Sequence, residues 1–146
     1  MTGPILPMTA ARFLLYHKHS ISARTLFLRF PGDTVLAPGA LPFLAAPLDA
    51  GPEEDSLPHP ASLARQLEAS LQLAAHTVEI DPEFREFVEI PGGAVAVHLA
   101  RLTSLDPPRE LFARRGARFC AITELRGGHP AEMDLLRKAY EQVLGG

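Results

Sequence analysis

The chain of 146 residues has one cysteine, no tryptophan and no long apolar run. Cys120 has no second thiol with which to form an internal disulfide, and its apolar neighbours predict a buried structural thiol. A membrane-spanning helix needs about 18 or more consecutive apolar residues, and no such run occurs. The N-terminus also lacks the basic and apolar regions of a signal peptide. We therefore expect a cytoplasmic protein with no membrane partner.

An excess of basic charge is missing as well. The 14 Lys and Arg residues are outnumbered by 17 Asp and Glu residues, which gives a formal net charge of −3. Nucleic-acid-binding domains usually present a broad basic surface, so nucleic acid is not an expected partner. Hydrophobic residues make up 47% of the chain, which suits one folded core at this length. We predict a single domain over residues 1–146.

Several motifs that carry chemistry do not occur. There is no G-x-S-x-G nucleophile elbow, no Walker loop and no G-x-G-x-x-G sequence. The histidines lack the spacing of a zinc site, and we predict His17 and His19 at the surface or at a loop edge. His98 is predicted to be a hydrogen-bonded core histidine, with a pocket role as the alternative. Four arginines predict a solvated basic patch, or else a contact for an anion or a partner protein. They are Arg109, Arg114, Arg115 and Arg118.

Local patterning predicts alternating strands and helices. Strands are expected at residues 12–18, 25–30, 41–48, 77–80, 84–90, 94–102 and 119–125. Helices are expected at residues 60–73, 106–116 and 130–144. The apolar face of the first helix is predicted at Leu63, Leu67, Leu71 and Ala74. Because residues 94–102 are apolar on both faces except at His98, that strand is expected inside the sheet. The order predicts an α+β fold with a mixed sheet sandwiched between helices.

The segment that leads into the first helix resembles the motif of the Nudix hydrolase superfamily. That motif reads Gly, five residues, Glu, seven residues, then Arg-Glu-aliphatic-x-Glu-Glu-x-Gly-aliphatic. Four residues occupy motif positions in register, namely Gly51, Arg65, Leu67 and Leu73. Residues 12–18 and 25–31 resemble the family's opening hairpin, whose second strand often ends in a basic residue such as Arg29 here. The resemblance implies the family's fold, which is a mixed sheet between helices.

The carboxylates of that motif are where this chain departs from it. The family's glutamate positions hold Leu57, Gln66, Ala69 and Ser70. In the family these glutamates bind magnesium beside a diphosphate, and an amide and a hydroxyl do not replace their charge. Losing about 4 kcal/mol of metal assistance would slow a reaction roughly a thousandfold. We therefore predict no metal, no cofactor and no family catalysis. Glu68 is expected at the surface, beside Arg65 or Gln72.

We hypothesise a non-catalytic Nudix-like protein that binds a small ligand or a partner protein in the former substrate cleft. Candidate ligand-binding residues are Arg29, Arg65, Gln66, Ser70 and His98. One alternative is a divalent-metal-dependent hydrolase of nucleoside-diphosphate-linked compounds that uses displaced acids. Those acids are Glu53, Glu54 and Asp55. Another alternative is a structural protein that associates through its arginine patch or C-terminal helix, for example as a homodimer.

Overall fold

The computed structural model describes residues 10–49 and 58–145. These residues form a seven-stranded β-sheet and the helices that pack against it. The strands are β1 (Arg12–Lys18), β2 (Thr25–Arg29), β3 (Leu36–Ala37), β4 (Ala46–Leu48), β5 (Val78–Ile90), β6 (Gly93–Leu102) and β7 (Arg118–Cys120). The helices are α1 (Pro60–Ser70), α2 (Arg109–Ala113) and α3 (Pro130–Gly145), and a short 3-10 turn spans Ile122–Glu124. The predicted order of elements is confirmed in outline.

The sheet is mixed, as predicted. Its strands follow the order β4-β5-β6-β1-β2-β7, and β3 also pairs with β1. Strand β6 is parallel to β1 and antiparallel to β5. Its predicted position inside the sheet is therefore confirmed. Burial explains this position, because every residue of β6 except Arg101 is buried.

Alternating side chains of the strands contribute to two apolar layers, one on each face of the sheet. On one face Leu14 packs in a cluster with Leu136 of α3. On the other face Leu15 packs in a cluster with Leu67 of α1 and Phe112 of α2. Because neighbouring residues of a strand point to opposite faces, adjacent leucines serve different layers. The predicted fold class, α+β with a mixed sheet between helices, is confirmed.

Helix α1 ends three residues earlier than predicted. The residue after its C-cap, Gln72, adopts a left-handed conformation with φ 55°. The backbone N–H groups of Gln72 and Leu73 then donate to the carbonyls of Ala69 and Glu68, at 3.2 and 2.8 Å. This pattern is a Schellman motif, which closes a helix. Ala74 therefore lies beyond the helix and is exposed, not on its apolar face.

The strands also differ from prediction in four places, one of which is the two-residue strand β3, which was not predicted. The predicted strands at 77–80 and 84–90 form the single strand β5, with a register shift between Ile80 and Arg85. Pro82 lies in this interval and has no N–H for the ladder, so an irregularity there is expected. The strand predicted at 119–125 is reduced to β7 and the 3-10 turn. Residues 41–48 contribute only β4.

The short helix α2 begins later than predicted. Its N-cap is Pro108, not Asp106. The carboxylate of Asp106 instead lies 3.5 Å from Nε2 of His19, in the hairpin between β1 and β2. Asp106 therefore contacts the hairpin and does not cap the helix.

Two helices begin at the same tripeptide, His-Pro-Ala. Nδ1 of His59 accepts a hydrogen bond from the backbone of Ala61 at 3.1 Å, and Nδ1 of His129 accepts one from Ala131 at 3.0 Å. Each imidazole thus does the work of the more common Ser or Asp cap. The proline that follows suits the first helical position, because an N–H there has no partner within the helix.

Removal of these imidazole caps should destabilise the protein measurably. His59→Ala should lower the free energy of unfolding by about 1 kcal/mol, the usual cost of a lost cap. His129→Ala should lower it by about 2 kcal/mol, because Nε2 of His129 also donates to the carbonyl of Phe43 at 2.7 Å. Urea denaturation of both variants checks this order. Equal losses would show that the bond to Phe43 adds no stability.

Candidate functional site

A cleft of about 180 Å³ opens between the start of α1 and the irregular part of β5. Helix α1 contributes Pro60 and Leu63 to its wall, β5 contributes Ile80 and Arg85, and β6 contributes His98. We call it the His98 cleft. The register shift in β5 leaves this space, since the strand does not run regularly beneath the start of α1.

His98 forms the inner wall of this cleft. Its residue is 2% exposed, and its ring lies 5.7 Å from that of Phe13 in a tilted arrangement. Burial, together with the nearby charge of Arg85, lowers the pKa of His98 to about 4. The imidazole is therefore neutral near pH 7 and has one donor and one acceptor nitrogen. The predicted burial of His98 is confirmed, and the residue also lines a pocket.

Two charged side chains stand at the same cleft. Arg85 pairs directly with His98 across the antiparallel β5 and β6 strands. Asp81 is held in place from two sides: its Oδ1 accepts from the backbone of Glu83 at 2.8 Å, and its Oδ2 accepts from Nε2 of Gln142 at 3.2 Å. A cation and a neutral imidazole therefore border a small space with apolar walls, while both oxygens of the Asp81 carboxylate are hydrogen-bonded within the protein.

The other predicted ligand-binding residues lie outside this cleft. Gln66 and Ser70 are exposed on α1, and the Ser70 hydroxyl donates to the carbonyl of Leu67 at 3.0 Å. Arg65 contacts Glu68 on its own helix. Arg29 pairs with Asp33 at 2.8 Å and lines a separate cavity of about 60 Å³. The structure thus does not bring the candidates together, and their roles in binding stay predictions.

Glu68 corrects one prediction, because it is buried and not at the surface. The residue is only 3% exposed, and its Oε2 accepts from the backbone N–H groups of Thr77 and Val78 at 2.9 and 3.2 Å. The predicted contact of Glu68 with Arg65 is present, with 2.7 Å between Nε of Arg65 and Oε1 of Glu68. The turn after α1 returns residues 77 and 78 to the helix, so the carboxylate binds backbone amides.

A second buried carboxylate, that of Glu132 in α3, was not recognised in the sequence. Its Oε1 accepts from the hydroxyl of Thr34 at 2.8 Å and from the backbone of Val35 at 3.1 Å. The pair ties the first turn of α3 to the segment before β3. A signal did exist, because Glu132 follows His129 by three residues, in the usual place of an acid near a helix start. Its partners depended on tertiary contacts.

The acids proposed for a displaced metal site lie outside the described residues. They are Glu53, Glu54 and Asp55, and the motif positions Gly51 and Leu57 lie outside as well. Across 10–49 and 58–145, no three His, Cys, Asp or Glu side chains stand close enough together to hold a metal ion. In the same ranges no helix has the length and apolar character to cross a membrane. The metal-dependent alternative therefore stays a prediction.

The remaining histidines and arginines are only partly where the sequence predicted. His19 is half-buried at the loop edge, but His17 is 1% exposed, and its Nε2 donates to the carbonyl of Ser104 at 2.9 Å. The loop after β6 covers this end of β1, so the predicted surface position of His17 is wrong. Within the arginine patch, Arg115 donates to the carbonyls of Leu71 and Gln72 after α1. Arg115 is therefore a structural contact and not a solvated one.

Comparison with known proteins gives a structural similarity but no sequence match. No family model matches the chain, and no curated protein sequence matches it. A solved structure described as the crystal structure of C. elegans Ap4A hydrolase is similar over 97% of each chain, with 15% sequence identity and a TM-score of 0.48.

Proposed function

We propose that the chain is a non-catalytic protein of Nudix-like architecture that binds a small ligand in the His98 cleft. The observation that carries this proposal is the structural role of the Glu68 carboxylate. This acid lies on the helix that resembles the Nudix motif, yet its carboxylate is buried on the backbone of Thr77 and Val78. The exposed positions of Pro60–Ser70 carry no carboxylate, and two of them are the uncharged Gln66 and Ser70. The helix therefore supports the fold, and the neighbouring cleft is free to bind.

The lining of the His98 cleft indicates the class of ligand. Neutral His98 offers a donor and an acceptor, and Arg85 adds a cation at the same opening. Leu63 and Ile80 provide apolar walls. The volume of about 180 Å³ lies below the roughly 300–1,000 Å³ of pockets for larger ligands. We infer a planar heterocycle, or one such ring of a larger molecule, as the ligand.

Binding of heterocyclic probes tests this proposal. Adenine and cytosine, titrated into the 15N-labelled protein, should shift the amide signals of Leu63, Arg85 and His98. His98→Leu should weaken binding about tenfold, since one hydrogen bond in a dry site is worth about one such factor. His76→Leu, the same substitution at an exposed histidine that does not line the cleft, is the matched control and should change affinity less than twofold. If neither probe binds, or if both variants lose affinity equally, the cleft is not the binding site.

Activity measurements test the non-catalytic part separately. Nucleoside-diphosphate-linked compounds with magnesium or manganese should give no turnover, and magnesium alone should give no saturable heat in calorimetry. Turnover that is lost in Glu53→Gln, Glu54→Gln or Asp55→Gln would establish the hydrolase alternative instead. Self-association stays a prediction of the third hypothesis, and light scattering over a range of concentrations measures it.

A further inference from the structure

A second cleft lies farther along the same face of the sheet. It has a volume of about 450 Å³ and opens between the β1–β2 hairpin and the loop from β6 to α2. Phe13, beside His98, and His17, in the second cleft, lie on one face of β1, four residues or about 13 Å apart. We call this second cleft the hairpin cleft. Its polar lining consists of His17, His19, Ser22, Arg24, Asp106 and Arg109.

The hairpin turn orients His19 as a donor toward this cleft. Nδ1 of His19 accepts from the backbone N–H groups of Ile21 and Ser22, at 3.2 and 3.3 Å. An acceptor nitrogen carries no hydrogen, so a neutral ring has its N–H at Nε2. That nitrogen lies 3.5 Å from Oδ1 of Asp106, which is a long contact with a carboxylate that is 80% exposed. Nε2–H is therefore available to a ligand oxygen at the cleft.

Further donors come from the two ends of the cleft. The hydroxyl oxygen of Ser22 accepts from the backbone of Arg24 at 3.3 Å, which leaves its O–H to donate. The side chain of Arg24 is exposed and makes no hydrogen bond or ion pair with another described residue. On the opposite wall, the guanidinium of Arg109 lies 5.9 Å from the centre of the Phe119 ring, which restricts its position. Donors of the hairpin turn and of α2 thus border one space.

Charge and donor count together specify an anion with several oxygens. The lining holds the cations Arg24 and Arg109 against the one carboxylate of Asp106. A phosphoryl group carries one to two negative charges and several strong acceptor oxygens, which suit guanidinium, imidazole and hydroxyl donors from different directions. The volume of about 450 Å³ falls within the range of roughly 300–1,000 Å³ for small-molecule sites. We propose that the hairpin cleft binds a phosphoryl group, either of a small phosphate ester or of free phosphate.

Calorimetry with inorganic phosphate and phenyl phosphate, at constant ionic strength, tests this assignment. At least one of the two probes should bind saturably with one site per chain. Arg24→Gln should weaken binding about tenfold, because it removes a charge-assisted hydrogen bond. Asp106→Asn should strengthen binding severalfold, because it removes the carboxylate that opposes the anion. Both side chains are exposed, so both variants are expected to fold, and their melting temperatures check this.

The matched control is Arg114→Gln, which removes the same charge from an exposed residue at the C-cap of α2, outside the lining of the cleft. It should change affinity less than twofold. If phenyl phosphate binds more tightly, the ligand is a phosphate ester. If inorganic phosphate alone binds, the ligand is free phosphate. Either result supports the site. The proposal is overturned if neither probe binds, if acetate binds equally well, or if Arg114→Gln weakens binding as much as Arg24→Gln. The outcome is independent of the function proposed for the His98 cleft.

Discussion

Glu68→Ala should lower the free energy of unfolding by about 3–4 kcal/mol. The substitution leaves the backbone N–H groups of Thr77 and Val78 without their shared acceptor, and hydrogen bonds to a charged group contribute about 1.5–3 kcal/mol each. Glu68→Gln should lose about half as much, because its amide oxygen still accepts from the backbone while the charge facing Arg65 is gone. Urea denaturation of the three proteins measures the series.

Glu79→Ala is the matched control for this series. Glu79 is an exposed acid that lies 3.3 Å from Arg101, and an exposed ion pair contributes about 0–1 kcal/mol. Its removal should therefore lower the free energy of unfolding by less than about 1 kcal/mol. If Glu68→Ala is no more destabilising than Glu79→Ala, the buried carboxylate of Glu68 does not stabilise the turn after α1, and its proposed structural role is wrong.

The stability of the wild-type protein should depend on pH through His98. The pKa of this residue is about 4 in the folded protein, against about 6.5 in an unfolded chain. The unfolded chain therefore binds the proton more readily between these values. The contribution of His98 is fully present above pH 6.5 and is lost as the pH falls toward 4. At 1.36 kcal/mol per pKa unit, the loss amounts to about 3 kcal/mol.

Comparison with His98→Leu isolates this contribution from other titrating groups. Urea denaturation at pH 7 and at pH 4 should show that wild type loses about 3 kcal/mol more than the variant does. His76→Leu, at an exposed histidine, should leave the wild-type difference between the two pH values unchanged. Parallel pH profiles for wild type and His98→Leu would show that the buried imidazole is not the group that responds.

The candidate site was only partly visible in the sequence. His98 is recognisable in the sequence as a single polar residue in an apolar strand, and its predicted burial is confirmed. Arg85 and Asp81 carried no such signal, because they reach the same cleft only through the pairing of β5 with β6 and the irregularity at Pro82. The motif resemblance predicts Gln66 and Ser70 as ligand-binding residues, and both are exposed on α1.

The alternation and spacing of apolar residues were enough to predict a mixed sheet between helices, with β6 inside it, because hydrophobic burial acts on every residue of a strand or helix at once. Tertiary contacts determined the burial and the hydrogen-bond partners of individual polar groups. Glu68 binds the amides of Thr77 and Val78, and His17 lies beneath the loop at Ser104. Such partners come from segments that meet only after folding, and a single hydrogen bond leaves no periodic pattern along the chain.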